Sequence, residues 1–260
     1  MTQSADPMAA RIADICRYPV KGLSAEHLEN TRLSPGQGLP HDRRFAIAHG
    51  STAFDPKAPQ WLPKTSFLML MRNEKLAQLS VTFEPGSGVL TIHRGGKPVV
   101  HGKATDPLGQ TLIGQFFAAF MGDAARGAPR LLEAAGHMFS DAREKYVSLI
   151  NLASVEDLER VVRQRVHPLR FRANIYLTDA PAWSEFSWVG CEIAIGAARL
   201  RVRQRIERCA ATNVDPQTAA RDMNIPRALQ HGFGHVDMGV YAEVLRGGDI
   251  AKGDAVMIPA

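Results

Sequence analysis

The chain is poor in cysteine, lysine and long apolar stretches, and each shortage removes a class of function. Apolar runs are short, as in Phe67-Leu68-Met69-Leu70-Met71, and none approaches the roughly 18 residues that a membrane-spanning helix requires. No membrane partner is expected. Cysteine occurs three times, at Cys16, Cys191 and Cys209, with no Cys-x-x-Cys pair, which excludes zinc-finger and iron–sulfur spacing and argues against a disulfide framework. Any cysteine chemistry is that of a single thiolate. Glycine-rich phosphate loops of the P-loop or dinucleotide type are missing. The stretch Met1 to Ala13 carries Asp6 and Pro7 and no apolar segment before Arg11, so no leader is expected and the cytoplasm is the expected location.

What is present is a globular composition: 260 residues, 45% hydrophobic and 22% charged, enough for one large domain or two small ones. The net charge of +5 rests on 23 arginines and 8 lysines. Arginine's planar fork suits oxyanions better than an ammonium does, although a bias toward arginine codons explains the composition equally well. The first hundred residues read as short strands between turns, with Leu79, Val81 and Phe83 alternating and Glu84-Pro85-Gly86-Ser87-Gly88 as a turn. Asp106-Pro107 then starts a helix over 107–121, with Asp106 as its cap and a stripe of Leu108, Leu112, Phe116, Phe117 and Phe120 expected to face the core. Small residues over 122–136 suggest a seam, giving a smaller β-rich unit over 1–128 and a second unit over 129–260. Ser154-Val155-Glu156-Asp157 reads as the start of a second helix, and strand-like segments follow from Phe171 to the end. His231-Gly232-Phe233-Gly234-His235 reads as a surface or lid loop. The expected fold class is mainly β with peripheral helices (α+β): a barrel-like second domain and a smaller N-terminal β-rich domain.

The most unusual local pattern is Arg199-x-Arg201-x-Arg203-x-Arg205, which on a strand aligns four guanidinium groups on one face. A solvated strand face is its plain explanation. The segment then runs into Arg208-Cys209-Ala210-Ala211-Thr212-Asn213-Val214-Asp215-Pro216, where a cysteine follows a strand beside a cation. Taken alone, such a cysteine is a small buried hydrophobe more often than a ligand.

These residues resemble the MOSC domain proteins, which bind the molybdenum cofactor. In that family a strand runs into Arg-Cys followed by Thr-x-Val-Asp-Pro, matched here by Arg208, Cys209, Thr212, Val214, Asp215 and Pro216. Arg170-Phe171-Arg172-Ala173-Asn174 is similar to its Arg-Phe-Arg-Pro-Asn segment, and Gly239-Val240-Tyr241 and Gly253-Asp254-x-Val256 to its closing strands. Tyr18-Pro19-Val20-Lys21-Gly22 and Asp42-Arg43-Arg44-Phe45 resemble the associated N-terminal β-barrel domain, so nearly the whole chain is covered.

The resemblance implies a pterin cofactor with a phosphate and a dithiolene that holds molybdenum, with Cys209 as metal ligand and catalytic residue. It implies Lys21, Arg44, Arg172 and Asn174 as cofactor contacts, joined by Arg208, Thr212 and Tyr241, and leaves Asp215 a second catalytic candidate although a turn role suits it better. Ile206, Gly22, Ala173 and Gln217-Thr218-Ala219 depart from the family pattern, and no cysteine cluster follows Cys209, so electrons are expected from a separate protein. The implied activity, that of amidoxime-reducing relatives, is reduction of N-hydroxylated small molecules by a monomeric enzyme without a nucleic-acid partner. Two alternatives stand beside it: a sulfur carrier using a Cys209 persulfide, and a non-catalytic module binding anions or nucleic acid through the arginine-rich strand.

Overall fold

The computed structural model describes residues 9–258. Residues 1–8, on which the expectation of no leader partly rests, lie outside the described residues. The strands are β1 (Ala9–Arg17), β2 (Glu26–Leu28), β3 (Asn30–Leu33), β4 (Ala46–Ala48), β5 (Leu79–Glu84), β6 (Val89–Arg94), β7 (Lys97–Lys103) and β8 (Arg130–Leu132). They continue with β9 (Val147–Asn151), β10 (Ile175–Thr178), β11 (Glu192–Ile195), β12 (Ala198–Glu207), β13 (Asp237–Arg246), β14 (Gly248–Ala251) and β15 (Ala255–Met257). Among the described residues three α-helices accompany them: α1 (Pro107–Met121), α2 (Leu152–Val162) and α3 (Ile225–Phe233).

Seven strands close into a barrel in the order β1-β10-β9-β13-β12-β11-β15, with β15 hydrogen-bonded back to β1. All pairings are antiparallel except β9 with β10. Closure removes the unpaired edges that an open sheet would expose. Alternation supplies the interior: Leu200 and Val202 of β12, Val240, Ala242 and Val244 of β13, and Ile175 and Leu177 of β10 are all buried. The mainly β class and the barrel expected from the sequence are thus present. β1 and β2 precede the seam expected near residue 128, yet β1 is a stave of the barrel and β2 pairs with β1 outside the closed ring.

A second core joins the meander β5-β6-β7, the pair β4–β8 and α1. β5 buries Leu79, Val81 and Phe83 as its alternation demands, and β6 answers with Leu90 and Ile92. Helix α1 has the expected bounds, but its buried face differs from the expected stripe. Leu108 is 71% exposed and Leu112 41% exposed, while Gly109, Ile113, Gly114, Phe117 and Met121 are buried. Backbone approach decides this: a Cβ on Gly109 would lie 2.1 Å from the Lys103 carbonyl oxygen, and one on Gly114 2.8 Å from that of Pro129. The glycines therefore set which face docks. Asp106 occupies the cap position, but its side chain makes no capping bond.

Helix α2 begins two residues earlier than expected, capped by Asn151, whose side chain accepts from the Ala153 amide at 3.1 Å. Ser154 lies inside the helix and donates to the buried Glu185 carboxylate. The expected loop over 231–235 is also corrected. His231, Gly232 and Phe233 form the last turn of α3, and Gly234 ends it at φ 77°. Asn224 caps this helix, accepting from the Arg227 amide, and Pro226 occupies its first turn.

Candidate functional site

The ten-residue strand β12 points Leu200, Val202 and Ile206 inward and its arginines outward. Arg203 pairs with Glu243, and Arg201 lies 3.9 Å from Glu192. Arg199 donates to the Gly196 and Ala198 carbonyls. Most of the ladder is therefore a paired, solvated face. Arg205, stacked 4.3 Å from the Phe186 ring, alone among the four reaches the wall of the large cavity described next.

Where β12 ends, Arg208 fixes the chain by donating to the Met238 carbonyl at 2.8 Å and the Phe171 carbonyl at 2.9 Å. Cys209 then opens a 3-10 turn over 210–213, and the amide and hydroxyl of buried Thr212 both donate to its carbonyl, at 3.1 and 2.9 Å. The Cys209 backbone is pinned while its side chain stays half-buried at the wall of a cavity of 580 Å³. This cavity lies between the barrel and the N-terminal unit. Its walls carry seven cationic side chains, Lys21, Arg43, Lys64, Arg170, Arg172, Arg205 and Arg208, against the carboxylates of Asp141, Glu207 and Asp237.

Burial acts on these cations. It pulls the Lys21 ammonium below the usual lysine range, against the opposing pull of Asp141, whose Oδ1 lies 2.5 Å away; Lys21 also donates to the Phe139 carbonyl at 3.0 Å. Lys64 faces Cys209 and lies 3.8 Å from Asp141. Burial lowers its pKa, but Cys209 and Asp141 outweigh that and hold Lys64 above the usual range. Burial likewise raises Asp141, and Lys21, Lys64 and Arg43 overcome it, so its carboxyl titrates below the usual range. Arg43 and Arg172 both lie over the Tyr18 ring, at 4.4 and 4.3 Å. Arg43 is paired with Asp42 at 2.5 Å. Among the described residues Arg172 has no carboxylate partner: it donates to the Leu23 carbonyl at 2.5 Å, its Nη2 is buried without a hydrogen bond, and burial together with Arg43 brings its pKa down to about 10. Burial also depresses Arg208 and raises Tyr241, whose ring packs 5.6 Å from that of Tyr146.

Of the residues singled out in the sequence, Lys21, Arg172, Asn174, Arg208, Cys209, Thr212 and Tyr241 meet at this one cavity. Asn174 also has structural work: its Oδ1 accepts from the Ser148 amide and hydroxyl, and its Nδ2 donates to the Cys16 carbonyl at 3.1 Å, tying β9 to β1. Two residues are placed elsewhere. Arg44 turns away from Arg43 into a separate depression, held by Glu133 at 2.7 Å, so Arg43 takes the cavity-facing position one residue earlier. Asp215 does not line the cavity, and both its oxygens are committed. Oδ1 accepts from the Gln217 and Thr218 amides at 2.8 Å, and Oδ2 accepts from Arg170 at 2.8 Å. It is a turn residue that positions Arg170. Lys64 and Asp141 are not legible as site residues in the sequence, because nothing in their local pattern distinguishes them, while Arg170 and Arg43 lie in the quoted motifs beside the residues that were expected at the site.

A thiol and cationic walls in one cavity suit an anionic metal cofactor. The MOSC domain profile matches residues 126–257, and that of the MOSC N-terminal beta barrel domain matches residues 9–142. The chain belongs to the MOSC domain family. Curated relatives of this MOSC protein include mitochondrial amidoxime-reducing component 1 of Mus musculus, 35% identical over 88 residues, which cover 34% of this chain and 25% of the relative. Mitochondrial amidoxime reducing component 2 of Homo sapiens is 27% identical over 145 residues, 50% of this chain and 43% of the relative. The matched stretches thus span less than half the length of those relatives. Among solved structures, the YUAD protein from Bacillus subtilis aligns over 97% of both chains at a TM-score of 0.46 and 12% identity. YiiM from Geobacillus stearothermophilus aligns over 44% of this chain and 54% of its own, at a TM-score of 0.35 and 18% identity. Among the described residues no helix is long and apolar enough to cross a membrane.

Proposed function

We propose that the cavity holds the molybdenum cofactor, with Cys209 as the protein ligand to the metal, and that the protein reduces N-hydroxylated small molecules. Electrons come from a separate protein, and the enzyme works as a monomer in the cytoplasm. The observation that supports this most directly is a half-exposed thiol, backbone-pinned by Thr212, on the wall of a cation-lined cavity whose Arg172 lacks an anionic partner among the described residues. A soft thiolate suits molybdenum, and the guanidinium groups suit a phosphate.

The bound metal would supply a two-electron couple. The residues supply everything else. Arg43, Arg172 and Lys21 would hold the anionic end of the cofactor. Asn174 keeps one amide hydrogen beyond its bond to Cys16, and the Tyr241 hydroxyl stands at the wall for the heterocycle edge. Converting N–OH to N–H consumes two electrons and two protons and releases water. Lys64 Nζ, kept protonated by Cys209 and Asp141, places a proton beside the thiol.

Elemental analysis of protein from a cofactor-competent host, with Cys209→Ser purified alongside, tests the proposal. Near-stoichiometric molybdenum and reduction of benzamidoxime in the parent, both lost in Cys209→Ser, are expected. Absence of molybdenum and pterin from both proteins overturns it and leaves the Cys209 persulfide carrier, which needs no metal.

A further inference from the structure

On the side of the barrel where β2 hangs from β1, three different donor side chains converge away from the cavity. Cys16 and His27 are direct cross-strand partners, and Asp14 lies two residues before Cys16 on the same face of β1. The Cys16 sulfur is 3.5 Å from Asp14 Oδ2 and 3.6 Å from His27 Nδ1, and His27 Nδ1 is 2.6 Å from Asp14 Oδ2. We propose that Asp14, Cys16 and His27 form a binding site for a zinc-class divalent cation, independent of the cofactor cavity. Among the described residues no other three such groups converge in this way.

The geometry is nearly that of a metal triad. Tetrahedral zinc bonds of about 2.3 Å to sulfur and about 2.1 Å to nitrogen or oxygen set the sulfur about 3.6 Å from each of the other donors. Two edges of the observed triangle already have that length. The third, between His27 and Asp14, must open from its hydrogen-bonded distance to about 3.4 Å. The His27 side chain is 53% exposed and that of Asp14 26% exposed, so an ion reaches the site from solvent while the sulfur waits on the buried side. Lys252 Nζ takes the other Asp14 oxygen, Oδ1, at 3.2 Å and is held outward by Glu29 at 3.0 Å, leaving Oδ2 for the ion.

A sulfur, an imidazole and one carboxylate suit zinc better than calcium or magnesium, and three protein ligands leave a fourth position for water. Coordination forms a metal–sulfur bond and releases the thiol proton to solvent. The structural effect is specific: β2 is the one strand of its sheet outside the closed ring, and the ion would clamp it to β1.

Cobalt(II) is the probe, added to the full-length, cofactor-free protein and displaced by zinc. One equivalent with thiolate-to-cobalt charge-transfer absorption is expected. His27→Gln and Cys16→Ser should each lose that absorption or weaken binding at least about tenfold. Zinc should raise the melting temperature of the parent and leave that of His27→Gln unchanged. His27 is half-exposed, so this variant folds whether or not Cys16→Ser does. No thiolate absorption in the parent, or an absorption unchanged in His27→Gln, overturns the site; the second result would put the ion on Cys209 or Cys191.

Discussion

Two arginines of one segment, the buried Arg170 and the partly buried Arg172, should respond differently to loss of charge. Arg170 is 3% exposed and donates to Asp215 and Asp222 at 2.8 Å each, as well as to the Asn213 carbonyl at 3.1 Å. Removing Arg170 strands the largely covered Asp215 carboxylate and the Asn213 carbonyl at a cost of about 3 kcal/mol, while the more exposed Asp222 regains water. Arg172 has no such partner among the described residues, and burial with Arg43 lowers its pKa from the usual arginine range to about 10. That difference corresponds to about 3 kcal/mol held against its charged form. For a base whose folded value lies below its unfolded one, the penalty persists at every pH below about 10, so a measurement at neutral pH contains all of it. The bond to Leu23, about 1.5–3 kcal/mol, and the stack on Tyr18, about 1 kcal/mol, offset most of this. Arg172→Gln in the cofactor-free protein should therefore change stability by less than about 1 kcal/mol, whereas Arg170→Gln should cost about 3 kcal/mol. Urea unfolding of both variants gives the comparison. If Arg172→Gln proves as costly as Arg170→Gln, the Arg172 charge is already compensated and the argument for an anionic ligand beside it fails.

Asp141 titrates below the usual carboxylate range, so its contribution to stability is complete above about pH 4 and is lost as pH falls through its folded value. Asp141→Asn should flatten the stability profile below pH 4, read by acid unfolding at several urea concentrations. Gly109→Ala drives a methyl into the Lys103 carbonyl and should destabilise by about 3 kcal/mol, measured as a fall in urea midpoint. Because Arg43 and not Arg44 faces the cavity, Arg44→Gln should retain more molybdenum than Arg172→Gln when both are expressed under cofactor-loading conditions.

Local signals carried the parts of the fold that are local. Asp106-Pro107 marked the start of α1, alternation marked β5, and the run into Arg208-Cys209 located the thiol at a strand end. Pattern failed where tertiary approach decides. The face of α1 is chosen by Gly109 and Gly114 touching Lys103 and Pro129, which a count of apolar residues cannot register. Arg43 and Arg44 are equivalent in composition, and only the positive φ of Arg43, 46°, and its pairing with Asp42 send it inward. Lys64 and Asp141 come from segments that carry no motif and meet Cys209 only once the barrel is closed. Likewise no periodicity in 9–17 reveals that β1 pairs with strands more than 150 residues later.

That last pairing bears on how the molecule is made. β1 leaves the ribosome first among the described strands, yet its barrel neighbours are β10 and β15, and Ala9 pairs with Met257. At about 5–20 residues per second, roughly 12–50 seconds separate synthesis of the two. Until β10 is made, β1 carries hydrogen-bonding edges with only β2 to cover part of one of them, an exposure that invites chaperones and strand-swapped contacts between nascent chains. The barrel can close only after translation has passed β15, so whatever fills the cavity on its wall meets the closed barrel only after that point.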